Sequence, residues 1–490
     1  MSRPRTIGRR FPDYGWAWPK GDLALLLGAV LNTDREKALR DGLAWLSAHD
    51  LDDVTFPEQR LLAALSERFG KQLASSPAHP RLVGLQRLLW SRSRLALRDS
   101  TEALVLLNAA GMEFMLLKGA SRVALEPGAQ RGRVSHDIDI LLRRSDMRAA
   151  FGLLLDAGWQ ATSGAGAQRL KDRAPAYRAM NFQKGDFGDI DVHAVAYHPV
   201  HASEEDDENL WARSVEVGLS GVAARAPSPS DRIALAIAHG ALDAHAHSDW
   251  LCDIDSCVRA GGVDWPTLLQ TLKARRVLVP AASALSYLAE EIGAPIPDDF
   301  MARLVEEADA LGLAGRLALL ECKPRSDFNF LSAAARGVYK QVRLRRGKGS
   351  VEVEPERIWR ADLSRRETGA GQAGSTAVFI KATRARGMFE IVIAADLPPS
   401  RRRIEWELSS ARKHIAVLRH RKLFAYSGRR LLAFKGEIEL EDGDDLLTLS
   451  ARPSRFIRNA TNADDIARFG PVPFRIVRVS DGFAVTGDGG

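Results

Sequence analysis

Two aspartates inside an apolar run are hard to bury, and this chain sets them in His136-Asp137-Ile138-Asp139-Ile140-Leu141-Leu142. Asp is depleted in strands, yet its neighbours here are aliphatic and β-branched, the pattern of a covered strand. Residues two apart on a strand share a face, so the carboxylates stand roughly 6 to 7 Å apart on one side of a sheet. A third carboxylate sits between apolar neighbours in Ile190-Asp191-Val192, directly before His193. Unpaired carboxylates are costly to bury, so partners of opposite charge are expected among them. Three acidic groups on adjacent strands suit hard cations, with Mg²⁺–oxygen distances of about 2.0 to 2.1 Å, and two such cations can clamp the phosphates of a nucleotide.

Ahead of the Asp-x-Asp strand lies Leu116-Leu117-Lys118-Gly119-Ala120. A strand, a Gly turn, a strand with Asp-x-Asp and a later strand with a lone Asp resemble, in that order, the nucleotidyltransferase fold of the polymerase β superfamily. The Lys118-Gly119 turn, the Arg-containing loop before Asp137 and the Asp191-Val192-His193 ending look like the bacterial branch labelled uncharacterised nucleotidyltransferase family. The resemblance covers about residues 20 to 300.

It implies an enzyme that moves a nucleoside monophosphate from an NTP such as ATP to a hydroxyl, by in-line attack on the α-phosphate with release of pyrophosphate. Asp137, Asp139 and Asp191 would be the catalytic carboxylates and the ligands of Mg²⁺ or Mn²⁺, Asp191 acting as a ligand or as general base. Gly119 would let backbone N–H groups approach the triphosphate. The superfamily turn follows its Gly with Gly or Ser; here Ala120 follows, and Ser121, one position later, would supply the hydroxyl. Lys118, Arg131 and Arg133 are candidates for neutralising phosphate, the arginines because a planar fork grips two oxygens; the alternative is that they are solvated loop charges. His193 shares the face of Asp191 and would orient a carboxylate, touch nucleotide or serve the structure. Asp189 has the same parity but follows Gly188, and the preferred reading is a turn that releases it from the strand. The acceptor is left open among a small molecule, a glycan precursor, a protein side chain and an RNA end. A second reading keeps the fold without catalysis and gives the C-terminal domain a glycan or protein partner.

The expected fold class is α+β: a nucleotidyltransferase core of mixed sheet and helices, flanked by helical segments and followed by an antiparallel β-sandwich. Its expected domains are an N-terminal helical segment over 1–105, the core over 106–200, a helical domain over 201–335, a linker region over 336–375 and the β-sandwich over 376–490. Apolar residues at helical spacing occur in Leu23 to Leu31, Leu43 to Leu46 and Leu82 to Leu97. A helix is expected from Asp146 to Ala157, capped by Ser145 and ended by Gly158. Gly164, Gly166 and the residues to Arg173 read as a loop, Glu204 to Glu208 as an acidic opening of the second helical region, and Pro229-Ser230-Asp231 as a helix start. His245 and His247, near His239, would diverge by roughly 200° on a helix, which disfavours a metal site there. Asp253-Ile254-Asp255 repeats the Asp-x-Asp spelling in helical surroundings, where the carboxylates diverge for the same reason.

Thr368-Gly369-Ala370-Gly371-Gln372-Ala373-Gly374 reads as a linker. Beyond it the apolar period falls towards two in Thr376 to Ala382, Met388 to Ala394, Arg403 to Leu408, His414 to Leu418, Leu431 to Phe434, Leu446 to Leu449 and Phe474 to Val479, with turns at Asp442-Gly443 and Asp481-Gly482. No Gly-rich phosphate loop ending in Gly-Lys-Ser/Thr occurs. The net charge of +7 and pI of 9.4 fit an anionic substrate. The excess is spread through patches such as Val342-Arg343-Leu344-Arg345-Arg346, read as a solvated helix face or linker, so a nucleic-acid partner has weak support. Cys252, Cys257 and Cys322 are too few for a disulfide framework or zinc site, which points to a reducing compartment, the cytoplasm. The run Leu23 to Leu31, behind Arg3, Arg5, Arg9 and Arg10, is too short to span a bilayer, and no membrane partner is expected.

Overall fold

The computed structural model describes residues 13–162, 170–171, 174–201, 207–243, 248–324 and 327–346, and the strand segments 375–379, 385–395, 404–410, 414–418, 422–426, 429–440, 446–453, 474–480 and 483–485. The N-terminal arginines, the loop from Gly164 to Gln168, Arg173, the acidic residues Glu204 to Asp206, His245, His247, the 368–374 linker and the turns at 442–443 and 481–482 lie outside the described residues.

Four helices come first: α1 (Gly21–Leu31), α2 (Arg35–Ala48), α3 (Phe56–Phe69) and α4 (His79–Ala109). Asp34 caps α2, its Oδ1 accepting from Lys37 N at 2.9 Å, an end-group contact worth about 1 kcal/mol. Leu26, Trp45, Leu61 and Leu65 are buried in one core with Ile237, Leu268, Leu285 and Phe300 from the region beyond residue 229. The two helical regions, separate in the sequence reading, therefore share a core. Trp18 Nε1 donates to Ser283 O (3.0 Å) and Asn32 Nδ2 to Glu291 O (2.9 Å), tying their backbones together.

After α4 follow β1 (Phe114–Leu116), α5 (Lys118–Leu125), β2 (Ile138–Leu142), α6 (Met147–Asp156), β3 (Gln160–Ala161), β4 (Ala179–Lys184) and β5 (Gly188–His193). The hairpin β6 (Val215–Leu219) and β7 (Val222–Ala226) completes a mixed sheet of seven strands in the order β3-β4-β5-β2-β1-β7-β6. β1 runs antiparallel to β2, β2 parallel to β5, and β7 parallel to β1. The helix at 147–156 ends where Gly158 takes a φ of +87°, as the sequence predicts; at its start the Asp146 carbonyl accepts from Ala150 N (2.8 Å). The β6–β7 hairpin was read as part of a helical region. Its signal is the pair Ser220-Gly221, both at positive φ (54° and 82°), the conformation of a two-residue hairpin turn.

The described residues between 229 and 346 are helical apart from short connections. Its helix Pro229–Asp243 carries Gly240 because Trp250 leaves no room for a Cβ, which would lie 2.2 Å from the indole ring. No described helix is long and apolar enough to cross a membrane. The C-terminal strands form two antiparallel sheets, one of four strands and one of five. Two of those strands, Lys422–Tyr426 and Phe483–Val485, are additional to the seven segments read from periodicity.

Candidate nucleotide and metal site

The parallel register of β2 and β5 places Asp139 opposite Asp191. With a period of two, His193 stands on the same face as Asp191, and its Nε2 reaches both carboxylates, 3.0 Å from Asp139 Oδ1 and 3.1 Å from Asp191 Oδ2. One ligand atom each from Asp139, Asp191 and His193 lies within 4.8 Å of the others. Asp137 stands one residue ahead of β2 and is exposed, with Ser135 Oγ donating to its carbonyl (2.8 Å).

Lys118 is the second cation at the carboxylates, its Nζ 2.5 Å from the Asp139 Oδ1 that His193 also contacts. It begins α5 with a φ of +46°, a left-handed conformation costing a non-glycine residue about 1–2 kcal/mol. The sequence reading gave the backbone freedom to Gly119; the structure gives the unusual φ to Lys118. Gly119 answers a different need. A Cβ there would lie 3.3 Å from Ser135 Oγ and 3.4 Å from Arg133 Nη2, so the absent side chain admits the loop that precedes Asp137.

The charges set one another. Burial would raise the Asp139 pKa, but the Lys118 ammonium and the bonded His193 hold it far below the carboxylate range. Asp191 is likewise pulled down, against burial, mainly by His193. Burial would lower Lys118, yet Asp139, Asp191 and Asp137 reverse this and raise it. Burial would also lower His193; the Asp191 charge and the bonds to both aspartates push it up to about 9. Asp137 has no hydrogen-bonded cation; although its side chain still meets solvent, the protein crowded around it and then repulsion from Asp139 raise it to about 7 against the opposing pull of Lys118. Two cations thus already balance two carboxylates, and a like-charged third is left with a raised proton affinity.

The other sequence candidates are placed differently. Ser121 is buried and its hydroxyl donates to Lys118 O (2.8 Å), inside the first turn of α5. Arg131 is exposed at the end of the single turn Pro127–Arg131. Arg133 is buried and forks onto Asp253, with Nε and Nη2 each 3.0 Å from a carboxylate oxygen. Its Nη1 meets Asp249 at 2.6 Å and donates to Val134 O at 2.7 Å. A guanidinium so engaged holds the loop rather than a loose surface position. Asp253 lies on the helix Trp250–Ala260, where Asp255 instead pairs with Arg259 (2.7 Å), the divergence that a helix imposes on Asp-x-Asp. Asp189 corrects the sequence reading: β5 already runs through it, with Ser100 Oγ donating to its carbonyl at 3.0 Å and Gln183 Nε2 to its carboxylate at 2.9 Å.

Sequence reasoning overlooked His136, Arg60 and Arg92. Burial, then Arg60 and Arg92, depress the His136 pKa to about 4. The folded pKa lies below the unfolded value of about 6.5, so the associated stability is present above pH 6.5 and lost as pH falls through 4. The loss is on the order of 2 kcal/mol after discounting for partial exposure. His136→Phe keeps the contact with Phe56, whose ring centroid is 5.3 Å away. Urea denaturation at pH 7 and pH 4.5 should show a smaller acid loss in this variant; equal losses would refute the assignment.

A mixed sheet with opposed carboxylates on neighbouring parallel strands, beside a turn that opens a helix, is the arrangement that the resemblance to nucleotidyltransferases leads one to expect. Residues 58–293 match the family described as uncharacterised nucleotidyltransferase. A crystal structure of an antigenic nucleotidyltransferase-like protein from Paracoccidioides brasiliensis is similar over 43% of this chain and 92% of its own, at 13% identity and a TM-score of 0.26. No curated protein matches the chain.

Proposed function

We propose that this enzyme transfers a nucleoside monophosphate from an NTP, ATP in the first instance, to an acceptor hydroxyl, with Mg²⁺ or Mn²⁺ held by Asp137, Asp139 and Asp191. The observation carrying this reading is the pairing of Asp139 with Asp191 across β2 and β5. The Asp139 and Asp191 carboxylates, with His193 beside them and ligand atoms within 4.8 Å of one another, fit a hard divalent cation, which His193 could join only after giving up the proton it shares with both. Bound there, the cation would neutralise phosphate charge and lower the pKa of the attacking hydroxyl.

The chain's own groups would do the rest. The first N–H groups of α5 have no intrahelical acceptor and can donate to phosphate oxygens beside Gly119, with Lys118 adding positive charge. Asp191, with 26% of its side chain exposed against 7% for Asp139, is the more open carboxylate and is assigned the acceptor proton. His193 would fix the spacing of the two carboxylates by bonding to both. The C-terminal sheets are proposed to pack as a sandwich that recognises a glycan or protein, and the three free cysteines, all buried, accord with a cytoplasmic setting. The test is incubation of the full chain with α-phosphate-labelled NTPs, Mg²⁺ and candidate hydroxyl acceptors, for wild type, Asp137→Ala and Asp139→Ala. Label transfer and pyrophosphate release by wild type alone are expected. Their absence from wild type with every NTP would leave a fold retained for binding.

A further inference from the structure

We infer that Asp253 is a positioning residue for the nucleotide: from the helix Trp250–Ala260 it holds the Arg133 guanidinium against Gly119 and so sets the turn at which phosphate binds. The inference rests on the proposed reading of Lys118-Gly119 as that turn. Asp253 is the hub of a buried charge network. Its carboxylate takes the fork of Arg133 at 3.0 Å and Arg122 Nη1 at 3.0 Å. Arg122 belongs to α5, the helix that Lys118 and Gly119 open, and Arg133 to the loop that leads into Asp137. One carboxylate thus pins both walls of the site. Asp249, at the start of the same helix, adds Arg133 Nη1 at 2.6 Å and Arg60 of α3 at 2.5 Å.

The contact with the turn is direct. The place a Gly119 Cβ would occupy lies 3.4 Å from Arg133 Nη2 and 3.5 Å from Cζ, so the guanidinium packs on Gly119 itself. Ser135, at 3.3 Å from the same point, donates onward to the Asp137 carbonyl at 2.8 Å. A shift of Arg133 therefore moves the phosphate turn and the loop bearing the first carboxylate together. Arg133 itself needs no phosphate contact for this, because its donors are taken up by Asp253, Asp249 and Val134.

The two variants that cut the link retain every charge. Asp253→Glu lengthens the acid by one methylene, and Arg133→Lys keeps the cation but loses the fork. Binding of ribose-labelled fluorescent ATP with Mn²⁺ is measured well below each melting temperature. The expected result is an affinity about ten- to a hundredfold weaker in each folded variant, with the double variant no weaker than either single one because both cut the same link. Asp255→Asn, on the same helix but paired with Arg259, should bind as wild type does. A purely structural role would lower the melting temperature and leave affinity intact, so wild-type affinity in folded Asp253→Glu and Arg133→Lys overturns the inference. If wild type fails to bind the nucleotide, the proposed function falls along with it; if wild type and both variants bind equally, this inference alone falls.

Discussion

If the chain transfers nucleotides as proposed, Asp139→Asn should reduce that transfer by about a thousandfold or more, the scale of losing a principal electrostatic contact to the reacting phosphates. The side chain keeps its size and loses its charge. Its Oδ1 is the shared acceptor of Lys118 Nζ at 2.5 Å and His193 Nε2 at 3.0 Å, so the substitution leaves two cations facing one neutral amide. Asp191 would then be the one charged carboxylate still bonded to His193. The His193 pKa, raised to about 9 in part by its bond to Asp139, should fall. Mn²⁺ titration, pyrophosphate release and thermal melting together separate the possibilities. A loss of melting temperature with cation binding and rate intact would mean that Asp139 serves only as a buried counter-ion. Loss of all three is the expected outcome, with Asp137→Asn less destabilising because Asp137 is exposed and has no such pair of cationic donors.

The parts of the fold readable from sequence are those in which local pattern and tertiary environment agree. Ile138 to Leu142 is apolar enough to be a covered strand, and Asp139 could be assigned to one face by period alone. The parallel pairing with β5 follows from no local signal, yet it brings Asp191 opposite Asp139. Asp189 was misassigned because Gly188 is a common turn residue, while the long-range bonds of Ser100 that hold its backbone in the strand are invisible in one dimension. Arg133 shows the same limit. Its surroundings, Gly132 before it and Arg131 before that, read as an exposed basic loop, but its partners Asp249 and Asp253 stand more than a hundred residues away. Gly119 was located, and its reason was missed: the space it leaves belongs to that distant ion pair.

Arg133→Leu lowers unfolding stability by roughly 3 kcal/mol, within the range for removing one member of a buried ion pair. The expected value sits at the low end because neither acid is stranded: Asp249 keeps Arg60 at 2.5 Å and Asp253 keeps Arg122 at 3.0 Å. What changes is the balance. Arg60, Arg122 and Arg133 face Asp249, Asp253 and Glu126, and Arg232 also reaches Glu126 at 3.5 Å, so deleting Arg133 leaves Asp253 sharing Arg122 with Glu126 away from water. Because Arg133 and Asp253 are direct partners, adding Asp253→Asn to Arg133→Leu breaks no further bond between them, and the double variant should be less destabilised than the two single losses summed, a positive coupling read from a double-mutant cycle in urea at pH 7. Lys37→Met provides the contrast, since its partner Asp41 lies at 3.0 Å with the Lys37 side chain 49% exposed, and such pairs contribute about 0–1 kcal/mol. Were Arg133 a solvated loop charge, its loss would match that of Lys37 and show no coupling to Asp253. A loss several times larger and coupled would mean that the basic loop before Asp137 is fastened from beneath, leaving phosphate recognition to Lys118 and the open end of α5.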